Sequence, residues 1–439
     1  MSPNNTIRVL KAPCGRGKTH TYAIPRMLEG REKYIYAVPR LQLLDEFEEV
    51  VSARFTRDFQ RVLRFARIDS DHISKSSSTV PTELARRLGD AFDQHTRIFG
   101  VTHHALWYLT PEMVRDRVLI IDEMPPFIDL FFEEQKAWST LETLGLIETL
   151  PSGFLRVTEE GSSVCKGSGK GSVMPPIKSL LTKIQRAHTK RLDTGWAVQF
   201  LDPEVLRAAK EVIVMAAVPE AGYFPDYVRI QGFSTEQVID HGLDVTPHQC
   251  PNTEIYYAID SPRFSSKTKL EGEWHDPLRD LMARIRFPSK GGCLAAEDGE
   301  MNYLAVLNKG CRGRESLAKY LKKDRIESPG IRGVNTYDHV NVMIWLAATQ
   351  PDPKELKSIS LLGGVRGEAE MIAARHVESI YQFVMRGQLR KSNDAHVKIL
   401  VPTKRDALAL NGYLNAGLFA QCTPKPVFPG ERVYTKRDK

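Results

Sequence analysis

The stretch Ala12-Pro13-Cys14-Gly15-Arg16-Gly17-Lys18-Thr19 restricts what this chain can fold into more than any other feature. A small residue, four further residues and then Gly-Lys-Thr is the pattern of a phosphate-binding loop, and it acquires meaning from its flanks. Residues 7–10 before it read as a buried strand, and residues 22–28 after it read as a helix. In a strand–loop–helix unit, successive backbone N–H groups of the loop and of the helix start converge on one point and form a nest for an anion. Pro13, Cys14, Gly15, Arg16, Gly17, Lys18, Thr19 and His20 are therefore the expected cradle for a nucleotide's phosphates. Lys18 would reach the β- and γ-phosphates, and the Thr19 hydroxyl would face Mg²⁺. The competing reading, a fortuitous glycine-rich turn, does not account for the strand and helix on either side.

The rest of the chain keeps the same rhythm. Strands are expected at 7–10, 34–38, 97–101, 118–121 and 211–217, and helices at 19–28, 41–51, 81–92 and 103–109. Strands alternating with helices predict an α/β fold with a mostly parallel sheet covered on both faces. About ninety residues after position 122 break the pattern. A helix is expected at 141–150, a flexible Gly/Ser-rich loop at 161–172 and a basic helix at 178–191. Between 156 and 191 there are eight Lys and Arg against two Glu. A solvated surface insertion and a nucleic-acid-contacting loop both fit that count. Residues 245–285 are rich in Pro, Ser and polar residues around one apolar run, 254–259. They read as a connection, after which strands at 293–296, 340–346 and 397–401 and helices at 314–322 and 368–386 resume the α/β pattern. Residues 424–439 read as a poorly ordered basic tail. With 439 residues there is room for more than one core. The expected division is a first domain at 1–245 carrying an insertion at about 135–208, a connecting segment at 246–285 and a second domain at 286–439.

A second acidic element completes the chemistry that the loop implies. Val118-Leu-Ile-Ile-Asp122-Glu123 is an apolar strand ending in two carboxylates. Such a strand delivers its last residues to the C-terminal edge of a parallel sheet, where ligands bind in open α/β folds. Asp122 would hold Mg²⁺, usually through water, and Glu123 would polarise the water that attacks the γ-phosphate of ATP. An acidic helix cap after a buried strand is the plainer alternative, and the loop upstream weighs against it.

With these residues in hand, the chain resembles the superfamily-2 helicases. Asp122-Glu123-Met124-Pro125 is similar to their DExx box. Val38-Pro39-Arg40-Leu41 is similar to motif Ia, and Val101-Thr102-His103 to a later motif that grips a strand phosphate. Val212–Ala217 stands where motif III is expected, and 333–337, with Asn335, is similar to motif V. Tyr381-Gln382 with Arg386-Gly387-Gln388-Leu389-Arg390 is similar to motif VI. The resemblance implies two RecA-like domains, ATP and Mg²⁺ as cofactors, and Lys18, Glu123, Gln382, Arg386 and Arg390 as catalytic groups. It implies nucleic-acid contacts from Arg40, Thr102 and Asn335, with single-stranded DNA or a duplex–single-strand junction favoured over RNA. Replication or recombination proteins are further expected partners. Among its members, phage- or plasmid-encoded helicases and viral origin-binding helicases are the most similar in character. On a continuous helix Gln382, Arg386 and Arg390 would share one face, and the two arginines are the expected finger residues.

Two departures qualify the resemblance. Motif III carries Ala216-Ala217-Val218, without the hydroxyls that link hydrolysis to strand displacement in the family. The second box reads Asp-Glu-Met-Pro, neither DEAD nor DEAH. A nucleic-acid-binding ATPase switch or remodelling factor without processive unwinding is therefore the alternative, and a phosphate-loop kinase is a third. The net charge of +7 is compatible with a polyanionic partner. The six scattered cysteines, Cys14 among them, read as free thiols. His103 and His104 lack acids or cysteines at metal-ligand spacing. The aromatic residues Trp107, Tyr108, Trp196 and Tyr223 read as buried before they read as base-stacking platforms. No apolar stretch is long enough for a membrane span, so no membrane partner and a cytoplasmic location, with a nucleoid or a phage or plasmid replication context, are expected.

Overall fold

The computed structural model describes residues 5–59, 65–69, 79–89, 96–165, 175–192, 195–220, 222–240, 242–259, 302–308, 323–329, 337–349, 356–357, 360, 376–415 and 424–426. The chain divides into two units. The first comprises Met1–Lys11, Lys18–Gly242 and Asp352–Arg366, and the second comprises Ala12–Gly17, Leu243–Pro351 and Gly367–Lys439.

In the first unit the main-sheet strands are β1 (Thr6–Lys11), β2 (Lys33–Val38), β3 (Phe65–Ile68), β4 (Ile98–Thr102) and β5 (Arg117–Asp122). An insertion then contributes β6 (Ile128–Phe132), β7 (Ile147–Thr149), β8 (Phe154–Val157), β9 (His188–Arg191) and β10 (Trp196–Phe200), after which β11 (Glu211–Ala216) and β12 (Ser234–Gln237) return to the main sheet. That sheet has the order β12-β1-β11-β5-β2-β4-β3. Every pair in it is parallel. The central strands are apolar runs because both faces are covered: all six residues of β5 are buried. At one edge β12 is Ser-Thr-Glu-Gln and fully exposed. A polar edge strand deters pairing with another chain, and its composition hides it from a search for apolar runs.

The register sets up the site. Leu10 of β1 lies level with Met215 of β11, and Met215 lies level with Asp122 of β5. The strand after the insertion is thus interposed between the strand that feeds the glycine-rich loop and the strand that ends in the acids.

The insertion is an antiparallel sheet, β6-β10-β9-β8-β7, with helices Gln135–Thr143, Glu159–Cys165 and Pro175–Gln185. Its core gathers Trp138, Leu141, Leu146, Ile177, Leu180, Leu181 and Ile184, separately from the core of the main sheet. Three expectations are corrected here. The helix expected at 141–150 starts earlier and gives way to a strand at 147. The segment expected as a loop at 161–172 is helical up to Cys165. The basic helix expected at 178–191 stops at Gln185, and its last residues are β9. Three of the eight basic residues counted along the insertion are paired with acids outside the counted window. Arg156 pairs with Glu148, Lys183 with Glu133 at 3.0 Å and Arg191 with Glu142. Lys183 and Arg191 also lie over the rings of Phe131 and Trp138. For these three residues the count along the sequence leaves out the acidic partner that the fold supplies.

In the second unit the strands are β13 (Thr253–Ile259), β14 (Tyr303–Val306), β15 (Ile326–Glu327), β16 (Val342–Trp345), β17 (Val397–Thr403) and β18 (Lys425–Pro426). They form one sheet, β15-β14-β16-β17-β13-β18, again parallel throughout. The apolar run at 254–259 therefore belongs to this sheet. The strand expected at 293–296 and the helix at 314–322 lie outside the described residues. The α/β expectation with parallel sheets, as two RecA-like domains require, holds in both units.

Local electrostatics yields one test of stability. Glu83, in the first turn of the helix Val80–Leu84, accepts bonds from Arg86 and Arg87 one turn later. The Arg86 hydrogen bond chiefly, with Arg87, outweighs burial and holds the Glu83 carboxyl down at about 2. A carboxyl depressed on folding stabilises the fold above its unfolded value, and that contribution fades as pH falls from about 4.5 towards about 2. Glu83→Gln is expected to flatten this acid limb, read as thermal midpoint against pH between about 5 and 2. An unchanged acid limb would show that the pair adds nothing.

Candidate active site at the edge of the first sheet

The glycine-rich loop leaves β1 at Lys11 and turns on two residues with φ of +76°, Gly15 and Gly17. Only glycine enters that left-handed region without a Cβ clash. The chain re-enters helical geometry at Lys18, in a wide turn over Lys18–Ala23 that continues as the α-helix Ile24–Glu29. Wide helical turns are uncommon and occur mostly at functional positions. This one ends two residues before Pro25, whose ring crowds the carbonyl four residues back in a regular α-turn.

Thr19 and Asp122 are brought together across 103 residues of sequence. The Thr19 hydroxyl donates to Asp122 Oδ2 at 2.8 Å. A second donor, not foreseen from the sequence, reaches the same oxygen: the Tyr36 hydroxyl, at 2.6 Å. Tyr36 lies on β2, next to β5, and its ring stacks on Phe47 at 4.3 Å. Hydrogen bonds to a charged acceptor contribute about 1.5–3 kcal/mol each. Burial pushes the Asp122 carboxyl above the ordinary carboxylate range, and the charge of Glu123 adds to this. The two hydroxyls and the Lys18 ammonium pull it back. Burial, reinforced by the Asp122 charge, drives the Tyr36 phenol far up, so it remains a donor.

The backbone around the acids is equally constrained. His103, 7% exposed, uses Nε2 to bond the Asp122 carbonyl at 2.8 Å. A carbonyl only accepts, so that nitrogen carries the proton. The histidine is a backbone clamp, and its neighbour His104 sits at the edge of the Tyr108 ring. Among the described residues no group of three His, Cys, Asp or Glu is arranged to hold a metal ion. Glu123 has φ of +61°, the one positive value outside glycine among the described residues. That conformation costs a residue with a Cβ about 1–2 kcal/mol. Its N–H bonds the Met215 carbonyl at 2.9 Å, so the reversed backbone is pinned to β11.

The remaining residues singled out from the sequence fall as follows. Arg40 follows β2 and Thr102 ends β4, with Val38 and Thr102 level in the register. Arg40, Thr102, Asp122 and Glu123 therefore share the C-terminal edge of one sheet. Asn335 lies outside the described residues. In the second unit, the helix expected at 368–386 is seen at Glu378–Val384. Gln382 is buried on it and donates to Glu378 at 2.7 Å. Beyond it Met385 caps the helix, Gly387 is extended, and Gln388–Arg390 form a separate short turn. The expectation that Gln382, Arg386 and Arg390 share one helix face is thus corrected. The cause is a docking contact: the Gln388 N–H bonds the Val340 carbonyl, and a Cβ on residue 387 would lie 2.9 Å from that oxygen. Arg386 is buried, whereas Arg390 is exposed.

No family model matches the chain, and no curated protein matches it. Solved structures do match. Xpd4 of S. tokodaii is 11% identical with a TM-score of 0.46, covering 91% of this chain and 92% of its own. Dbp5 of S. cerevisiae, bound to RNA and ADP BeF3, is 10% identical with a TM-score of 0.41, covering 97% and 86%. The helicase Lhr of Mycobacterium smegmatis, bound to ssDNA and AMP-PNP, is 12% identical with a TM-score of 0.37, covering 94% and 46%. The chain is similar to each of these along most of its length.

Proposed function

We propose that this chain is an ATP-dependent nucleic-acid helicase or translocase of superfamily 2, coupling hydrolysis to movement along or unwinding of DNA. The observation that carries the reading is the meeting of Thr19 and Asp122 beside Lys18 at the edge of a parallel sheet. A hydroxyl and a carboxylate are hard oxygen donors, as Mg²⁺ demands. Thr19 and Asp122 would hold the ion, which supplies charge neutralisation at the phosphate oxygens when bound. Glu123, held in its reversed conformation, is the group assigned to orient the attacking water. Lys18 and the loop N–H groups bind phosphate.

Arg40 and Thr102, with Asn335, are assigned to the nucleic-acid backbone. Contacts of this kind predict affinity with little sequence preference and a steep fall with salt. Single-stranded DNA or a duplex–single-strand junction is the proposed track, and replication or recombination factors the proposed partners. Of the two candidate finger arginines, Arg390 has the exposure that contact with a ligand requires. Arg390→Ala is expected to lower polymer-stimulated kcat by about three orders of magnitude or more, with thermal stability retained. Arg386→Ala removes a buried charge and is expected to lower stability as well. An Arg390→Ala enzyme with wild-type kcat would remove that residue from the site.

One observation favours the second reading, an ATPase switch. β11 delivers Ala216, 2% exposed, to the edge level with Lys11, followed by Ala217 and Val218. No hydroxyl is available at that point to link the two functions. Strand displacement on a partial duplex separates the readings. ATP-dependent release of the labelled strand supports the helicase. ATP-dependent binding without release supports the switch.

A further inference from the structure

Asp122 Oδ2 receives two hydroxyls, from Thr19 at 2.8 Å and from Tyr36 at 2.6 Å. The two donors differ in what they can do next. Thr19 follows the glycine-rich loop, and its hydroxyl has two lone pairs besides its proton, so it can face a cation while still donating to Asp122. Tyr36 is fixed: it is 1% exposed, it lies in the interior of β2, and its ring stacks on Phe47. Its single polar atom is placed by the strand register, with Tyr36 level with Ile120 two residues before Asp122.

We infer that Tyr36 is a positioning residue for the metal-binding carboxylate: from a fixed place in the sheet it ties one oxygen of Asp122 and so holds the carboxylate in one orientation towards the ion that Thr19 also faces. The inference rests on the proposed ATP·Mg²⁺ reading and deepens it. Groups that orient a metal-ligating carboxylate typically change metal affinity or activity by about 10–100-fold when removed. His103 complements this role from the other side by holding the Asp122 carbonyl. The phenol fixes the side chain, and the imidazole fixes the main chain.

The test uses the full chain and Mn²⁺ as the probe, titrated by electron paramagnetic resonance with a non-hydrolysable ATP analogue present. Tyr36→Phe keeps the ring and its stack and removes only the hydroxyl. It is expected to raise the half-saturating Mn²⁺ concentration about 10-fold or more, with analogue affinity in EDTA unchanged. Phe47→Leu disturbs the stack and leaves the hydroxyl. It is expected to lower the thermal midpoint without moving the Mn²⁺ titration. A Tyr36→Phe titration that overlays the wild type would overturn the inference. Equal shifts in both variants would also overturn it, since packing alone would then explain the effect. Asp122→Asn separates the two levels of the argument. If the wild type takes up Mn²⁺ with nucleotide and Asp122→Asn does not, only the Tyr36 assignment is at stake. If the wild type shows no nucleotide-dependent Mn²⁺ uptake, the ATP·Mg²⁺ reading falls and takes the inference with it.

Discussion

Lys18→Ala is expected to reduce ATP hydrolysis by about 10²–10³-fold, with the fold retained. Lys18 is partly exposed at the first position of the wide helical turn, so its removal opens no cavity in the core. In the proposed reading the loss is kinetic, because the ammonium would stabilise charge that grows on the phosphate oxygens during transfer. Removing one preorganised group of this kind costs about that factor. Asp122→Asn is expected to act similarly through the metal, and because Lys18 and Asp122 would serve one ligand in the proposed reading, the double variant is expected to be little worse than either. Steady-state phosphate release with circular dichroism as a fold control checks this. Hydrolysis within a few-fold of wild type in Lys18→Ala would mean that the loop does not bind the reacting phosphates.

The second large effect concerns stability. Trp138 is fully buried in the insertion, and its indole N–H donates to the Gly195 carbonyl at 3.3 Å. Replacing a core tryptophan with alanine costs about 3–5 kcal/mol. The insertion has a core of its own, so the loss should fall there first. Trp138→Ala is expected to produce an early thermal transition and rapid proteolysis within 135–200, while basal ATPase at low temperature persists because Tyr36 and Asp122 lie on the main sheet and Lys18 and Thr19 on the helical turn after β1, outside the insertion. A single transition at the wild-type midpoint would show that the insertion is not packed around this residue.

What could be read from the sequence depended on how strongly one physical signal dominated. β5 was legible because a central parallel strand is buried on both faces and therefore apolar throughout. The glycine-rich loop was legible because the turn needs glycine at Gly15 and Gly17 and the chemistry needs Lys18 and Thr19. The sheet of the insertion was not legible. Its strand His188–Arg191 has one residue, Thr189, fully buried, so its composition is that of a surface segment. The run from 178 to 191 carried helical periodicity into a region where antiparallel pairing with β10 prevails. Pairwise charge neutralisation was equally hidden, because Glu133, Glu142 and Glu148 reach the basic residues through the fold.

At the site, Tyr36 looked like one more apolar strand residue, and only the β2–β5 register reveals its hydroxyl against Asp122. The role of His103 was hidden because the bond that occupies it goes to a backbone carbonyl, which no motif records. The shared face of Gln382, Arg386 and Arg390 followed from helical spacing alone. It is lost because Gly387 brings the backbone close to Val340, and that contact joins segments far apart in sequence.

The central claim is that nucleotide hydrolysis at Lys18, Thr19 and Asp122 is coupled to a nucleic-acid track. The most direct measurement is the ATPase rate of the full chain with and without saturating single-stranded DNA, and separately RNA, beside Lys18→Ala. The account predicts strong stimulation by single-stranded DNA, weaker stimulation by RNA, and loss of both in Lys18→Ala. A wild-type rate indifferent to either polymer would contradict it and leave a phosphate-loop hydrolase whose substrate is not a nucleic acid.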